Sequence, residues 1–141
     1  MSGDRGPVDY KEAKVLIVED DRTLEPLWHF IVESVLPGVG IDWVTSGELA
    51  MLLDSHEYGL IISDIFLGGA KTGLDVWQKF SKNEGAIFIL MSVLSTKRLE
   101  ILADGLDLPA YLQKPTDPNQ AIASVRALIL ANSRSEFRTR V

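Results

Sequence analysis

Val15-Leu16-Ile17-Val18-Glu19-Asp20-Asp21 changes abruptly from four apolar residues to three carboxylates, which is typical of a buried strand that ends at a polar site. Three later apolar runs also end in polar residues: Leu60-Ile61-Ile62-Ser63 before Asp64, Ile87-Phe88-Ile89-Leu90-Met91 before Ser92, and Tyr111-Leu112-Gln113 before Lys114-Pro115. If these runs are parallel strands of one sheet, their carboxyl ends lie side by side. Ligands bind at that edge of open α/β sheets, so the sequence predicts one site with carboxylates, a hydroxyl and an ammonium.

Helix-like segments separate these runs, which is the alternation expected of an α/β fold. A further short strand is predicted at Ile41-Asp42-Trp43-Val44. Helix starts are predicted near Thr23, at the capping-box pattern Thr45-Ser46-Gly47-Glu48, at Leu74, at Ser95-Thr96 and at Asp117. Five strands, each followed by a helix, predict a doubly wound, five-stranded parallel sheet with helices on both faces.

The large apolar side chains are expected to form the core and not a ligand site. They include the three tryptophans and the apolar residues of the second predicted helix: Trp28, Trp43, Trp77, Leu49, Leu52 and Leu53.

Composition narrows the class of protein. The 141 residues are enough for one domain, and 46% hydrophobic content can supply one buried core. The absence of cysteine excludes disulfides and thiol chemistry, and a net charge of -6 argues against broad nucleic-acid binding. No apolar run approaches the roughly 20 residues that span a bilayer. We expect a soluble cytoplasmic protein with a polar tail at 1–13, one domain at 14–131, and at 132–141 a polar tail, a truncated linker or residues added for expression.

Three carboxylates at neighbouring strand ends indicate a site for a hard divalent cation. Glu19, Asp20 and Asp64 would repel one another unless a cation lay between them, and Mg²⁺ prefers such oxygen ligands together with phosphate oxygens. A carboxylate can also act as the nucleophile that forms an aspartyl phosphate. Lys114 would neutralise charge on a transferring phosphoryl group, and the Ser92 hydroxyl would donate to one of its oxygens. The pattern therefore favours phosphoryl transfer.

The chain resembles the receiver domain of two-component response regulators over about Lys14 to Ala131. Asp64 follows Asp20 by 44 positions and Lys114 follows Ser92 by 22, both as expected for that family. The matching stretches are Val15-Leu16-Ile17-Val18-Glu19-Asp20-Asp21, Ile61-Ile62-Ser63-Asp64-Ile65-Phe66-Leu67, Leu90-Met91-Ser92 and Tyr111-Leu112-Gln113-Lys114-Pro115.

The resemblance implies a flavodoxin-like sheet with strand order 2-1-3-4-5 and a role for each residue of the site. Asp64 would be the phosphoacceptor, and Lys114 would pair with the phosphate. Glu19, Asp20, Asp64 and the backbone carbonyl of Phe66 would bind Mg²⁺. The domain would catalyse only its own phosphorylation and dephosphorylation, and would not be an enzyme that turns over a substrate.

The resemblance also implies a switch and its partners. Ser92 would be the switch hydroxyl that moves toward the phosphoryl group, and Tyr111 would be the aromatic residue that then turns inward. The phosphoryl donor would be a histidine kinase or a histidine phosphotransfer protein. The surface from the fourth helix to the fifth helix would form a homodimer or meet an effector, without direct contact to nucleic acid or membrane.

Several positions depart from the family pattern. Gly68 stands where proline is frequent, and with Gly69 it predicts a mobile loop after the phosphoacceptor. Val93 replaces a small residue and would narrow access to the phosphoryl group. Phe66 and Leu94 lie where side chains flank the path of the hydrolytic water, and two apolar residues there predict slow autodephosphorylation.

Two other functions stay open from the sequence. One is a receiver-like adaptor that never accepts phosphate, which the complete acidic site and Lys114 disfavour. The other is a phosphotransferase or phosphatase with an aspartate nucleophile, but such an enzyme usually needs a second carboxylate where Phe66 stands. The sequence also leaves open a single-domain protein, a fragment of a transcription factor, or part of a hybrid kinase.

Overall fold

The computed structural model describes residues 12–114 and 116–141, so most of the predicted tail at 1–13, and also Pro115, lie outside the described residues. Five parallel strands form one sheet in the order β2-β1-β3-β4-β5, which confirms the predicted fold class and strand order. The strands are β1 (Lys14–Val18), β2 (Ile41–Val44), β3 (Tyr58–Asp64), β4 (Ile87–Ser92) and β5 (Ala110–Gln113).

Helices cover both faces of the sheet. The helices are α1 (Glu25–Val35), α2 (Gly47–Met51), α3 (Gly73–Phe80), α4 (Thr96–Ala103) and α5 (Pro118–Ala131), with short 3₁₀ turns at Arg22–Leu24, Ser55–Glu57 and Arg138–Arg140. Side chains alternate along β1, so Val15 and Ile17 pack beneath α1 and α5, whereas Leu16 and Val18 face the core under α2, α3 and α4. Within the described ranges, no helix is long and apolar enough to cross a membrane.

Two of the predicted helix caps are confirmed, because short polar side chains satisfy the first backbone N–H groups. Ser95 accepts from Arg98 N, and Asp117 accepts from Asn119 N. The first helix differs from its predicted start near Thr23: a 3₁₀ turn capped by Asp21 comes first, and α1 begins at Glu25. This later start leaves Pro26 in the first turn of α1, where its missing N–H costs nothing.

The predicted capping box at the start of α2 is wrong. Ser46, not Thr45, is the N-cap and accepts from Leu49 N, so Glu48 is one position too early to close the box. The helix is also only five residues long, and Leu52 lies beyond its end with 82% of its surface exposed. Ala50 supplies the buried contact of α2.

The tryptophans divide between full and partial burial. Trp28 lies on α1 and is fully buried, whereas Trp43 and Trp77 are half-buried at the edges of the two core clusters. The ring centroid of Trp77 lies 5.3 Å from that of Phe88 in β4, which confirms that Trp77 packs on the sheet.

The segment after α5 packs against the domain. Phe137 is fully buried in the core cluster under α1 and α5, and a Cβ atom at Gly59 would lie only 2.8 Å from its ring. Arg140 Nη2 donates to the carbonyl oxygen of Pro37 at 3.0 Å. This packing differs from the expected polar tail or linker, because one aromatic side chain fills a space that Gly59 leaves open at the start of β3.

Candidate phosphoacceptor site

The structure brings the three predicted acidic residues together at the carboxyl ends of β1 and β3. Val18 pairs with Ser63 in the sheet register, so the next residues, Glu19 and Asp64, lie side by side. One carboxylate oxygen from each of Glu19, Asp20 and Asp64 lies within 4.8 Å of the others. Glu19 and Asp64 are buried and Asp20 is exposed, so the cluster opens to solvent on one side.

Lys114 reaches this cluster from the end of β5. Its Nζ donates to Asp64 Oδ2 at 2.8 Å and also forms an ion pair with Glu19 Oε1. Burial lowers the pKa of Lys114, but its hydrogen bonds to Asp64 and Glu19 outweigh that effect, so the pKa is raised and the group stays charged. The backbone holds the lysine in place, because Lys114 N donates to Ser92 O at 2.7 Å.

Ionisation of the buried Glu19 carries an electrostatic cost. Burial raises the pKa of Glu19 to about 7, and the neighbouring Asp64 adds to the rise while Lys114 opposes it. One ammonium therefore does not fully compensate these carboxylates near neutral pH. The electrostatics of this cluster therefore favour the binding of an additional cation.

The donor set fits Mg²⁺. Its three carboxylates supply hard oxygen ligands on a partly open cluster, which leaves room for the water and phosphate ligands that this ion retains. Phe66 follows Asp64 by two residues and its side chain is 52% exposed. The role of the Phe66 carbonyl as a further ligand stays a prediction. Asp21 does not join the cluster, because its carboxylate accepts from the backbone and hydroxyl of Thr23.

Ser92 and Tyr111 form a second polar group beside the acidic cluster. Their hydroxyl oxygens are 2.8 Å apart, and Ser92 Oγ also accepts from Leu94 N at 2.9 Å. The Tyr111 hydroxyl donates to the carbonyl oxygen of Leu94 at 2.5 Å. The half-buried Tyr111 hydroxyl therefore bonds the Ser92 hydroxyl and the backbone after β4. The roles of Ser92 as the switch hydroxyl and of Tyr111 as the aromatic residue that follows it stay predictions.

Sequence reasoning missed one residue near the site. Glu48 was interpreted as part of a helix cap, but its carboxylate accepts from the backbone N–H groups of Ala70 and Lys71 in the loop after β3. Glu48 precedes Ala70 by 22 positions and Lys71 by 23. A glutamate in the first turn of a helix carries no local signal for such a contact.

Comparison with known proteins agrees with this geometry. A family model described as the response regulator receiver domain matches residues 15–126. Protein RcaC of Microchaete diplosiphon is 31% identical over 134 residues, covering 88% of this chain and 19% of RcaC. The transcriptional regulatory protein CpxR of Escherichia coli is 25% identical over 123 residues, covering 87% of this chain and 52% of CpxR. The chain therefore spans about half of CpxR and a smaller part of RcaC.

A solved structure shows the same fold. The receiver domain of the sensor histidine kinase PA1611 from Pseudomonas aeruginosa superposes with a TM-score of 0.64 at 20% identity, covering 83% of this chain and 97% of that domain. That structure contains a magnesium ion coordinated in its active-site cleft.

Proposed function

Because this chain belongs to the response regulator receiver domain family of two-component systems, we propose that it is a phosphoacceptor switch in which Asp64 receives a phosphoryl group from a phosphohistidine. The contact that best supports this function is the one between Lys114 Nζ and Asp64 Oδ2, 2.8 Å apart. In this contact an ammonium group lies next to the oxygen that would carry the phosphoryl group. Glu19 and Asp20 supply two further carboxylates to the same cluster.

The transfer exchanges one bond to phosphorus for another. An Asp64 oxygen forms a bond to the phosphorus atom as the bond between phosphorus and the donor imidazole nitrogen breaks, and the imidazole, which carries a proton on its other nitrogen, leaves as the neutral base. Lys114 is positioned to pair with the transferred group, since its ammonium already contacts Asp64. Its second contact, to Glu19, keeps the ammonium at the site after Asp64 is modified.

Glu19, Asp20 and Asp64 would hold Mg²⁺, in accord with the acidic cluster and with the ion that PA1611 binds. When bound, the ion supplies positive charge that stabilises the oxygens of the transferring group. The buried Glu19 must be ionised to take part, and the exposed Asp20 leaves the cluster accessible to the donor.

Ser92 would report the phosphorylated state to the surface. To donate to a phosphoryl oxygen, its hydroxyl must change the contacts that it makes with Leu94 N and the Tyr111 hydroxyl. About two added negative charges at Asp64 favour that exchange, and this shifts the population of two conformations. Because Tyr111 also bonds the carbonyl of Leu94, the exchange reaches the segment before α4.

The partner that delivers the phosphoryl group would dock beside Lys114. A cavity of about 310 Å³ lies there, lined mainly by apolar side chains of the α1 region and by residues near the site: Leu24, Leu27, Trp28, Val93, Lys114 and Thr116. Apolar side chains of a histidine kinase or a histidine phosphotransfer protein would fit this cavity. The output face would include α4, where Ile101 is 71% exposed, and would contact an effector or a second copy.

Intact mass after incubation with acetyl phosphate tests the acceptor. We expect one added phosphoryl group in the wild type with Mg²⁺, and none without Mg²⁺ or in Asp64→Asn. Asp107→Asn is the matched control, since Asp107 is exposed on the loop after α4 and should leave the gain intact. No gain in the wild type with Mg²⁺, from acetyl phosphate or from a phosphorylated histidine kinase, would reject the switch in favour of a fixed adaptor.

A further inference from the structure

The loop between β3 and α3 is fixed to α2 by the carboxylate of Glu48. Glu48 Oε2 accepts from Ala70 N at 3.1 Å, and Glu48 Oε1 accepts from Lys71 N at 3.4 Å. The pKa of Glu48 is held below its ordinary value, first by the hydrogen bond from Ala70 N, then by the backbone N–H of Glu48 itself, and less by Lys71 N. The ionised carboxylate can accept from both loop donors.

Glycines bring the loop close enough for this contact. Gly69 has a φ of +106°, and a Cβ atom there would lie 2.6 Å from Glu48 Oε2. A Cβ atom at Gly47 would lie 2.7 Å from the Lys71 side chain and 2.8 Å from its carbonyl oxygen. Larger residues at either position would separate α2 from the loop.

Both ends of the same loop lie beside the acidic site. A Cβ atom at Gly68 would lie 4.0 Å from Asp20 Oδ2, so the loop starts beside the acidic cluster. At the other end, a Cβ atom at Gly73 would overlap the Asp64 carbonyl oxygen at 2.2 Å, and Gly73 N donates to Ile65 O at 2.8 Å. The loop therefore begins beside Asp20 and ends against the backbone of Asp64 and Ile65.

We propose that Glu48 is a positioning residue that holds the β3–α3 loop in the conformation required for Mg²⁺ binding and phosphoryl transfer at Asp64. This inference rests on the proposed function. A loop that contains Gly68 and Gly69 loses much conformational entropy on ordering, and Glu48 restricts it before the ion arrives. The free protein then binds the ion without first ordering the loop, which strengthens binding.

Mg²⁺ titration calorimetry and amide hydrogen exchange test the proposal on the full chain. In Glu48→Ala, we expect the Mg²⁺ dissociation constant to rise about ten-fold, with faster exchange at Ala70 and Lys71 in the metal-free protein. At low Mg²⁺, the rate of phosphorylation by acetyl phosphate should fall by the same factor as the Mg²⁺ affinity. At saturating Mg²⁺, the rate should return to that of the wild type. Glu100→Ala removes one exposed carboxylate from α4 and should leave all three quantities unchanged.

Two further variants separate position from charge. Gly69→Ala keeps the Glu48 charge but adds a methyl group against it, so it should also weaken Mg²⁺ binding. Glu48→Gln retains one acceptor oxygen and should fall between wild type and Glu48→Ala. The proposal would be overturned if Glu48→Ala or Gly69→Ala folds and keeps the wild-type Mg²⁺ affinity, or if amide exchange at Ala70 and Lys71 is unchanged. The proposed function would survive that outcome as long as the wild type still accepts phosphate. A wild type that binds no Mg²⁺ would overturn the proposed function, and this inference with it.

Discussion

Lys114 Nζ lies 2.8 Å from Asp64 Oδ2 although the strands that position these two residues, β5 and β3, are separated by β4. The contact depends on the sheet order, since only the carboxyl edge brings both ends within reach of one side chain. It joins the proposed acceptor to a lysine that also pairs with Glu19. We therefore expect the charge balance at this edge to affect both stability and ligand binding.

Removal of the ammonium should destabilise the protein when both carboxylates are ionised. In Lys114→Met at pH 8 without divalent ions, we expect the free energy of unfolding to fall by about 2 kcal/mol, less than for a fully buried ion pair because the site is partly open. The loss should shrink at pH 5, where Glu19 is protonated. Urea denaturation at both pH values measures it, with the exposed Lys82→Met as the control. The prediction would be contradicted if Lys114→Met and Lys82→Met lowered the free energy of unfolding equally at pH 8.

Mg²⁺ affinity should rise with pH between 6 and 8. Burial raises the pKa of Glu19 from 4.5 to about 7, so the folded protein retains a proton at pH 6 that Mg²⁺ must displace. Without the ion, the same shift means that stability decreases as pH rises from about 4.5 to 7, because the unfolded chain releases this proton at lower pH. Calorimetric titrations at pH 6, 7 and 8 measure the affinity. In Glu19→Gln the affinity should be lower and its dependence on pH in this range should disappear; retention of the wild-type dependence would rule out Glu19 as its source.

Phe137 should stabilise the domain although it lies outside the sheet and the five α-helices. It is fully buried in the core cluster, so Phe137→Ala should lower the free energy of unfolding by about 3 kcal/mol. Phe30→Ala is the matched control, because Phe30 on α1 is 57% exposed and its removal should cost much less. Urea denaturation compares the two variants. A Phe137→Ala protein as stable as Phe30→Ala would show that the segment does not pack in solution.

The strands and the acidic site were predictable because both depend on local signals. An apolar run followed by a charged residue marks the end of a buried strand, and parallel pairing then places Glu19 beside Asp64. Glu48 and Phe137 were not predictable from such signals. The contacts of Glu48 lie in a loop more than 20 positions away, and Phe137 is buried by a space beside Gly59 that only the assembled sheet creates. Tertiary contacts override local sequence patterns at both residues.

The phosphorylated state should decay slowly, because the side chains two positions after Asp64 and Ser92 are Phe66 and Leu94. Neither side chain has a hydrogen-bonding group that could orient the water that attacks the acyl phosphate. The double variant Phe66→Asn, Leu94→Glu should shorten the phosphoryl half-life about ten-fold, less than the roughly 10²- to 10⁴-fold typical of acid–base catalysis, because these groups mainly orient the water. Loss of the added mass over time, after removal of acetyl phosphate, gives the half-life. The control is the double variant Phe30→Asn, Leu52→Glu at two exposed positions, which should leave the half-life unchanged. If both double variants shortened the half-life equally, the faster decay would come from a general loosening of the fold.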